Sequence, residues 1–205
     1  LEPLTKFVHK SMIPLVGKPV IEYIIDNLKK NDVKDIGFCV NNSPMKKQFF
    51  HYFKDGSRLG VKIRYSLGSL KLNTAGRILE AKNLVDDTFI VYYGDVLANL
   101  SLKQVCDFHQ QKRGIGTIVF SSTLPTSVGV GILDDECCVK EVKEKPLLPF
   151  PTNMGIYVLE PKILDYIKPN YDFFRDVFPL VIQKKENLYG YLTNSHWIDI
   201  GESPT

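Results

Sequence analysis

Long hydrophobic runs are missing from this chain. No stretch of eighteen apolar residues occurs, so no membrane-spanning helix is expected. No secretory signal pattern opens it, and a cytoplasmic location is expected. Zinc and redox spacings are missing too. The four cysteines, Cys39, Cys106, Cys137 and Cys138, form no C-x-x-C pair, and adjacent Cys137-Cys138 is a poor arrangement for a disulfide or for zinc. Free thiols in a reducing compartment are the expectation. His9, His51, His109 and His196 are scattered, without H-E-x-x-H spacing, and read as surface or packing residues. Charge of one sign is scarce: the net charge is +3, too mild to call for nucleic acid but compatible with an anionic small-molecule substrate. There is no repeat, charge block or low-complexity stretch, and the one Pro-rich loop, Leu147 to Pro151, is too short to be a linker.

What is present is regular alternation. The 205 residues have room for one large domain or two small ones. A chain of that size buries roughly 70% of its unfolded surface and needs no covalent staple. Helices are predicted over Val20–Lys30, Pro44–Phe53, Ala75–Leu84 and, from a Ser101 N-cap, to Lys112; strands over Asp35–Val40, Val61–Tyr65, Thr88–Tyr93 and Gly116–Ser121. This alternation predicts an α/β fold with a doubly wound, mostly parallel, Rossmann-like sheet. The pattern then changes. Val128–Leu133 and Cys138–Val142 read as strands around an Asp134-Asp135-Glu136 turn. Met154–Leu159 reads as a strand, Pro161–Ile167 and Phe173–Gln183 as helices, and Leu188–Leu192 as a last long strand. A small mixed β/α part is thus appended. The whole is expected to be one domain, residues 1–125 and 126–205 forming its two parts.

Asp95 is the most informative residue. It follows the strand-forming run Thr88 to Tyr93 and then Gly94. Such a run reads as a parallel strand buried on both faces, and open α/β sheets bind ligands past such strand ends. Trp197-Ile198-Asp199-Ile200-Gly201 delivers a second carboxylate in a similar setting. Two such carboxylates suit Mg²⁺, which reaches proteins through one or two carboxylates plus substrate phosphates. Phosphate chemistry is the resulting expectation.

Other segments are weaker signals. Lys10 and Lys18 flank a Pro/Gly-punctuated loop and could hold phosphate oxygens, or be solvated surface lysines. Leu72 to Gly76 precedes a helix, where backbone N–H groups could meet an anion or base edge, or where Asn73 or Thr74 could simply cap. Glu144-Lys145-Pro146 offers an acid for hydroxyls and a base for phosphate, but alone is a common surface tripeptide. Gly155, in Asn153 to Tyr157, suggests close backbone approach or mere packing.

Together and in this order, these segments resemble the sugar-1-phosphate nucleotidylyltransferases, or nucleotide-sugar pyrophosphorylases. Glucose-1-phosphate thymidylyl- and uridylyltransferases and mannose-1-phosphate guanylyltransferases are members. Leu1-Glu2-Pro3-Leu4-Thr5 resembles the stretch after that family's G-x-G-T-R loop. Lys10 to Pro14 resembles P-K-P-M-x-P, Val16 to Tyr23 matches closely, and Leu72 to Gly76 resembles L-G-T-A-G. Gly94-Asp95, Glu144-Lys145-Pro146, Asn153 to Tyr157, Asp176 to Pro179 and Trp197 to Gly201 match as well.

The resemblance implies a nucleotide-diphospho-sugar transferase-like fold, with nucleotide bound by the first part and sugar phosphate by the second. It implies that Asp95 and Asp199 hold Mg²⁺, that Lys10 meets phosphate, and that Lys145 grips the sugar phosphate. Glu144, Asn153 and the Gly129 backbone would hold sugar hydroxyls, and the backbone at Asn73 would approach the base. NTP and sugar 1-phosphate are the expected partners, without nucleic acid or membrane, and a homo-oligomer is expected. The chain departs from the pattern in four places. The G-x-G-T-R loop and its strand are absent; losing a central strand would leave its neighbours unpaired, so both are expected to precede Leu1. His9 and Ser11 replace prolines. Leu67 and Gly68 stand where an acidic residue and Gln or Glu are usual, and Asn73 replaces a glycine. These departures leave base choice open. They also motivate an alternative, a catalytically silent regulatory or scaffolding subunit; a third reading is nucleotidyl transfer to another phosphorylated small molecule.

Overall fold

The computed structural model describes residues 3–201, so Leu1 and Glu2 of the first resembling segment lie outside the described residues. The strands and helices, in chain order, are β1 (Pro14–Leu15), β2 (Lys18–Pro19), α1 (Val20–Lys30), β3 (Asp35–Asn41), α2 (Lys46–Phe53), β4 (Lys62–Gly68) and α3 (Thr74–Glu80). They continue with β5 (Phe89–Tyr92), β6 (Val96–Ala98), α4 (Leu102–Lys112), β7 (Gly116–Ser121), β8 (Leu124–Pro125), β9 (Val130–Leu133), β10 (Val139–Lys143) and β11 (Leu147–Leu148). The chain closes with β12 (Thr152–Leu159), α5 (Phe178–Gln183), β13 (Leu188–Thr193) and β14 (Trp197–Asp199).

The architecture is α/β, as the alternation predicts. Strand direction is more mixed. β3 pairs with β4 in parallel, and β7 with β13 in parallel. β12 lies between β7 and β5 and is antiparallel to both. The predicted parallel strand at Thr88–Tyr93 is therefore antiparallel to its one partner. The cause is connectivity: β12 follows β7 through the β8–β11 excursion and returns in the opposite direction. Only Val91 of β5 is buried; its other residues are half-buried, and all four line a cavity.

α1 forms where the apolar spacing predicts it. Ile24, Ile25 and Leu28 are buried, and Glu22 in the first turn with Lys29 and Lys30 in the last complement the helix dipole. β3 alternates, burying Ile36, Phe38 and Val40. The Phe38 ring sits edge-on to Phe49 and Phe53 of α2 and Tyr65 of β4, with centroids 5.3–6.0 Å away. β7 and most of β12 are buried along their length, as central strands are.

Two predicted helices take other forms. Pro161–Tyr166 is a 3₁₀ turn. Phe173–Val177 is a π turn, capped by the Asp172 carboxylate accepting from the N–H groups of Phe174 and Arg175, and only then does α5 begin. His109 is a packing residue: it is buried on α4, with Nδ1 2.9 Å from the Thr117 hydroxyl and Nε2 2.9 Å from a Glu160 oxygen. Among the described residues, no helix is long and apolar enough to cross a membrane.

Candidate functional site

Among the described residues, β3 pairs with β4 alone and β5 with β12 alone. Between the two strands lies a cavity of about 1140 Å³, lined by both along their full length. At its polar end stand Lys10, Asn73, Thr74, Arg77, Asp95 and Asp199.

Asp95 and Asp199 are brought together by strand pairing. β6, immediately after Asp95, pairs antiparallel with β14, and Val96 is the partner of Asp199. The Ile200 N–H donates to the Asp95 carbonyl at 2.9 Å. Asp95 Oδ2 and Asp199 Oδ1 each lie 2.9 Å from the point where a Cβ on Gly201 would stand, and the Lys10 ammonium lies 3.5 Å from it. Two buried or half-buried carboxylates converging on one point beside a cation form an arrangement that could hold a divalent metal. No third His, Cys, Asp or Glu joins the cluster among the described residues. Two carboxylates with the remaining positions left to water and phosphate is the donor set that suits Mg²⁺ rather than zinc.

Lys10 pairs with the Asp95 carboxylate. Its position is set by His9, which the sequence marks only as a surface or packing residue in place of a proline. His9 Nδ1 accepts from the Ser11 N–H, capping the short 3₁₀ turn that carries Lys10. The ring packs edge-on to Phe49 at 4.9 Å. Burial, reinforced by Lys10 and Arg77, holds the imidazole below its usual value, so the ring stays neutral and able to accept. Lys18, the other lysine of the loop, is spent elsewhere: it pairs with Asp26 and stacks on the Tyr23 ring.

Asn73 stands at the N-cap of α3, but its side chain caps nothing. Its Nδ2 donates to the Asn170 carbonyl at 2.7 Å. Leu67 is exposed at the end of β4, where it presents no hydrogen-bonding side chain. Arg77, also unforeseen, donates to Asn41 Oδ1 and has no carboxylate in ion-pairing range among the described residues. Burial lowers its pKa.

The second group of expected residues lies on the later part of the chain. β9 and β10 form the hairpin predicted around Asp134–Glu136. Its base brings Gly129 and Glu144 together: a Cβ on Gly129 would stand 3.2 Å from Glu144 Oε2. Lys145 follows in the left-handed region (φ 46°), with no ion pair among the described residues. Asn153 lies on β12 opposite Phe120, where the pairing register slips before resuming at Tyr157. Gly155 sits in that bulge at φ 68°, and a Cβ there would stand 2.9 Å from the Tyr93 ring, so both conformation and space call for glycine.

Comparison with known proteins gives the family of the chain. A family model described as nucleotidyl transferase matches residues 1–204, and the chain belongs to that family. It is 34% identical to the UTP--glucose-1-phosphate uridylyltransferase of Synechocystis sp. over 226 residues, covering 100% of this chain and 58% of that protein. It is 32% identical to the mannose-1-phosphate guanylyltransferase of Mycobacterium tuberculosis, covering 98% of this chain and 57% of the relative. The chain thus spans little more than half the length of these relatives. Among solved structures, a putative glucose-1-phosphate thymidylyltransferase from Bacillus anthracis in complex with sucrose superposes with a TM-score of 0.75 at 20% identity, covering 98% of this chain and 85% of that one. HddC from Yersinia pseudotuberculosis complexed with GMP-PN superposes with a TM-score of 0.76 at 20% identity, covering 98% and 88%. These two likenesses show the fold.

Proposed function

We propose that the protein transfers a nucleotidyl group from an NTP to a sugar 1-phosphate, releasing pyrophosphate and forming an NDP-sugar. The observation that carries this is the convergence of Asp95 Oδ2 and Asp199 Oδ1 on one point beside Lys10, in a chain of the nucleotidyl transferase family. The residues up to 125 bind the nucleotide and those from 126 onward the sugar phosphate. Asp95 and Asp199 would hold Mg²⁺, which would supply charge neutralisation at the reacting phosphate. Lys10, beside both carboxylates, would meet a phosphate oxygen. Glu144, Asn153 and the Gly129 backbone hold sugar hydroxyls, and Lys145 holds the sugar phosphate. The backbone at Asn73 meets the base. A sugar phosphate oxygen attacks the α-phosphorus in line, so the chain's work is positioning and charge compensation, with no protein nucleophile.

The names of the relatives support this chemistry but differ in both sugar and base. Leu67 offers no hydrogen bond to a base edge, so discrimination among bases is expected to stay below about 10⁴-fold, the level that dedicated hydrogen-bonding sites reach. The test is to incubate the protein with Mg²⁺, each of UTP, dTTP and GTP, and α-D-glucose or α-D-mannose 1-phosphate, and to follow NDP-sugar and pyrophosphate. Stoichiometric appearance of both products, requiring both substrates, is expected. Binding of nucleotide or NDP-sugar without turnover would favour a silent regulatory subunit instead.

A further inference from the structure

Behind Asn153 lies a chain of hydroxyls that the proposed chemistry does not use. Asn153 Nδ2 donates to the Tyr157 hydroxyl at 3.0 Å, and the Tyr157 hydroxyl donates to the Tyr93 hydroxyl at 3.3 Å. The Thr74 side chain faces the Tyr93 hydroxyl from α3, and its own hydroxyl donates to Asp172 Oδ2 at 2.6 Å. The Phe173 N–H donates back to the Thr74 hydroxyl at 3.1 Å. The path runs from the sugar-side strand β12 to the N-terminal end of α3, where Asn73 stands.

Tyr157 is fully buried, its ring boxed by Tyr93, Phe173 and Phe178 at 5.0–5.7 Å. Such a hydroxyl must find its partners inside the protein, since an unpaired buried polar group is costly. Burial also raises its pKa, so it keeps its proton and remains a donor. The other end of the Asn153 amide is fixed as well: Oδ1 accepts from the Gly155 N–H at 3.0 Å. A flipped amide would set two donors against each other at Gly155. The carboxamide is therefore held in one orientation, with one Nδ2 hydrogen left over to donate.

We propose that Tyr157 and Tyr93 are positioning residues that aim this remaining N–H of Asn153 at a hydroxyl oxygen of the sugar 1-phosphate. The inference rests on the assignment of the sugar phosphate to this part of the site. Tyr157→Phe keeps the ring and its packing but removes one of the two bonds that hold the amide, leaving only the Gly155 N–H. Tyr93→Phe removes only the second link. Titration calorimetry of the full chain with α-D-glucose 1-phosphate, α-D-mannose 1-phosphate and UTP reads the effect. Tyr157→Phe should weaken whichever sugar phosphate binds by about 5- to 20-fold and leave UTP within about 2-fold. The melting temperature should stay within about 4 °C of wild type. Tyr93→Phe, on a half-buried ring, should weaken the sugar phosphate about 2- to 5-fold and keeps the test alive should Tyr157→Phe misfold. A merely structural role would lower the melting temperature and weaken both ligands in parallel. That result, or unchanged sugar-phosphate affinity in both variants, overturns the proposal. Wild-type protein that binds UTP but neither sugar phosphate overturns the functional reading beneath it as well, whereas unchanged variants of a protein that does bind overturn the positioning role alone.

Discussion

The two groups of candidate site residues are built on very different supports. Asp95 is 8% exposed, follows a strand of the main sheet, and is locked to Asp199 through the β6–β14 pairing. Glu144 and Lys145 end a hairpin whose β10 strand is exposed throughout, with Val142 76% exposed. The first end has its geometry before any substrate arrives, because the core beneath it fixes strand positions. The second is an arm held mainly by its own ladder, with few buried side chains beneath it. Groups that neutralise charge at a reacting phosphate gain most from being fixed in advance, whereas groups that capture a substrate can tolerate an adjustable support.

The sharpest way to break this contrast is at the fixed end. Asp95→Asn is isosteric and past the strand end, so the fold should survive. Pyrophosphate release should fall by about 100-fold or more. A near wild-type rate would remove the cation assignment and favour the silent subunit. A cut beneath that end tests its support: Ile156→Ala, at a fully buried position of β12, should cost about 2–5 kcal/mol in urea unfolding. A smaller loss would mean that the central sheet is less rigid than its burial implies. At the arm, Lys145→Ala should cost about 1.5–3 kcal/mol of sugar-phosphate binding, raising that KM by roughly 10- to 100-fold with little change for NTP. Equal effects on both substrates would erase the division between the two ends. The smallest effect belongs to Val142→Ala, expected within about 0.5 kcal/mol of wild type in stability, because its side chain buries little. A loss as large as that at Ile156 would mean that the hairpin packs against something in solution.

What the sequence disclosed follows the same division. Strands and helices with strong periodicity, such as α1 and β7, fall where the spacing predicts them, because their burial is set by one face or by complete enclosure. The antiparallel course of β12 was not legible. Alternation of helix and strand implies parallel pairing, and nothing local in Met154–Leu159 encodes direction; the preceding excursion does. The turns at Pro161 and Phe173 carry helical spacing but are too short or too tightly tied to neighbours to complete α-helical turns. In the site, the convergence of Asp95 and Asp199 could be anticipated from two short apolar runs each delivering a carboxylate. His9, Tyr93 and Tyr157 could not. Their roles depend on partners far along the chain, such as the Tyr157 hydroxyl meeting that of Tyr93, and no spacing rule reports such contacts.

The most direct test of the cation site is anomalous scattering from crystals of the protein grown with MnCl₂ and UTP. Mn²⁺ accepts the oxygen ligands that Mg²⁺ does and can be located without ambiguity. One anomalous peak is predicted within about 2.2 Å of carboxylate oxygens of both Asp95 and Asp199, with Lys10 turned from Asp95 to a phosphate oxygen. A peak bound to the nucleotide alone, with Lys10 still paired to Asp95, would contradict the account.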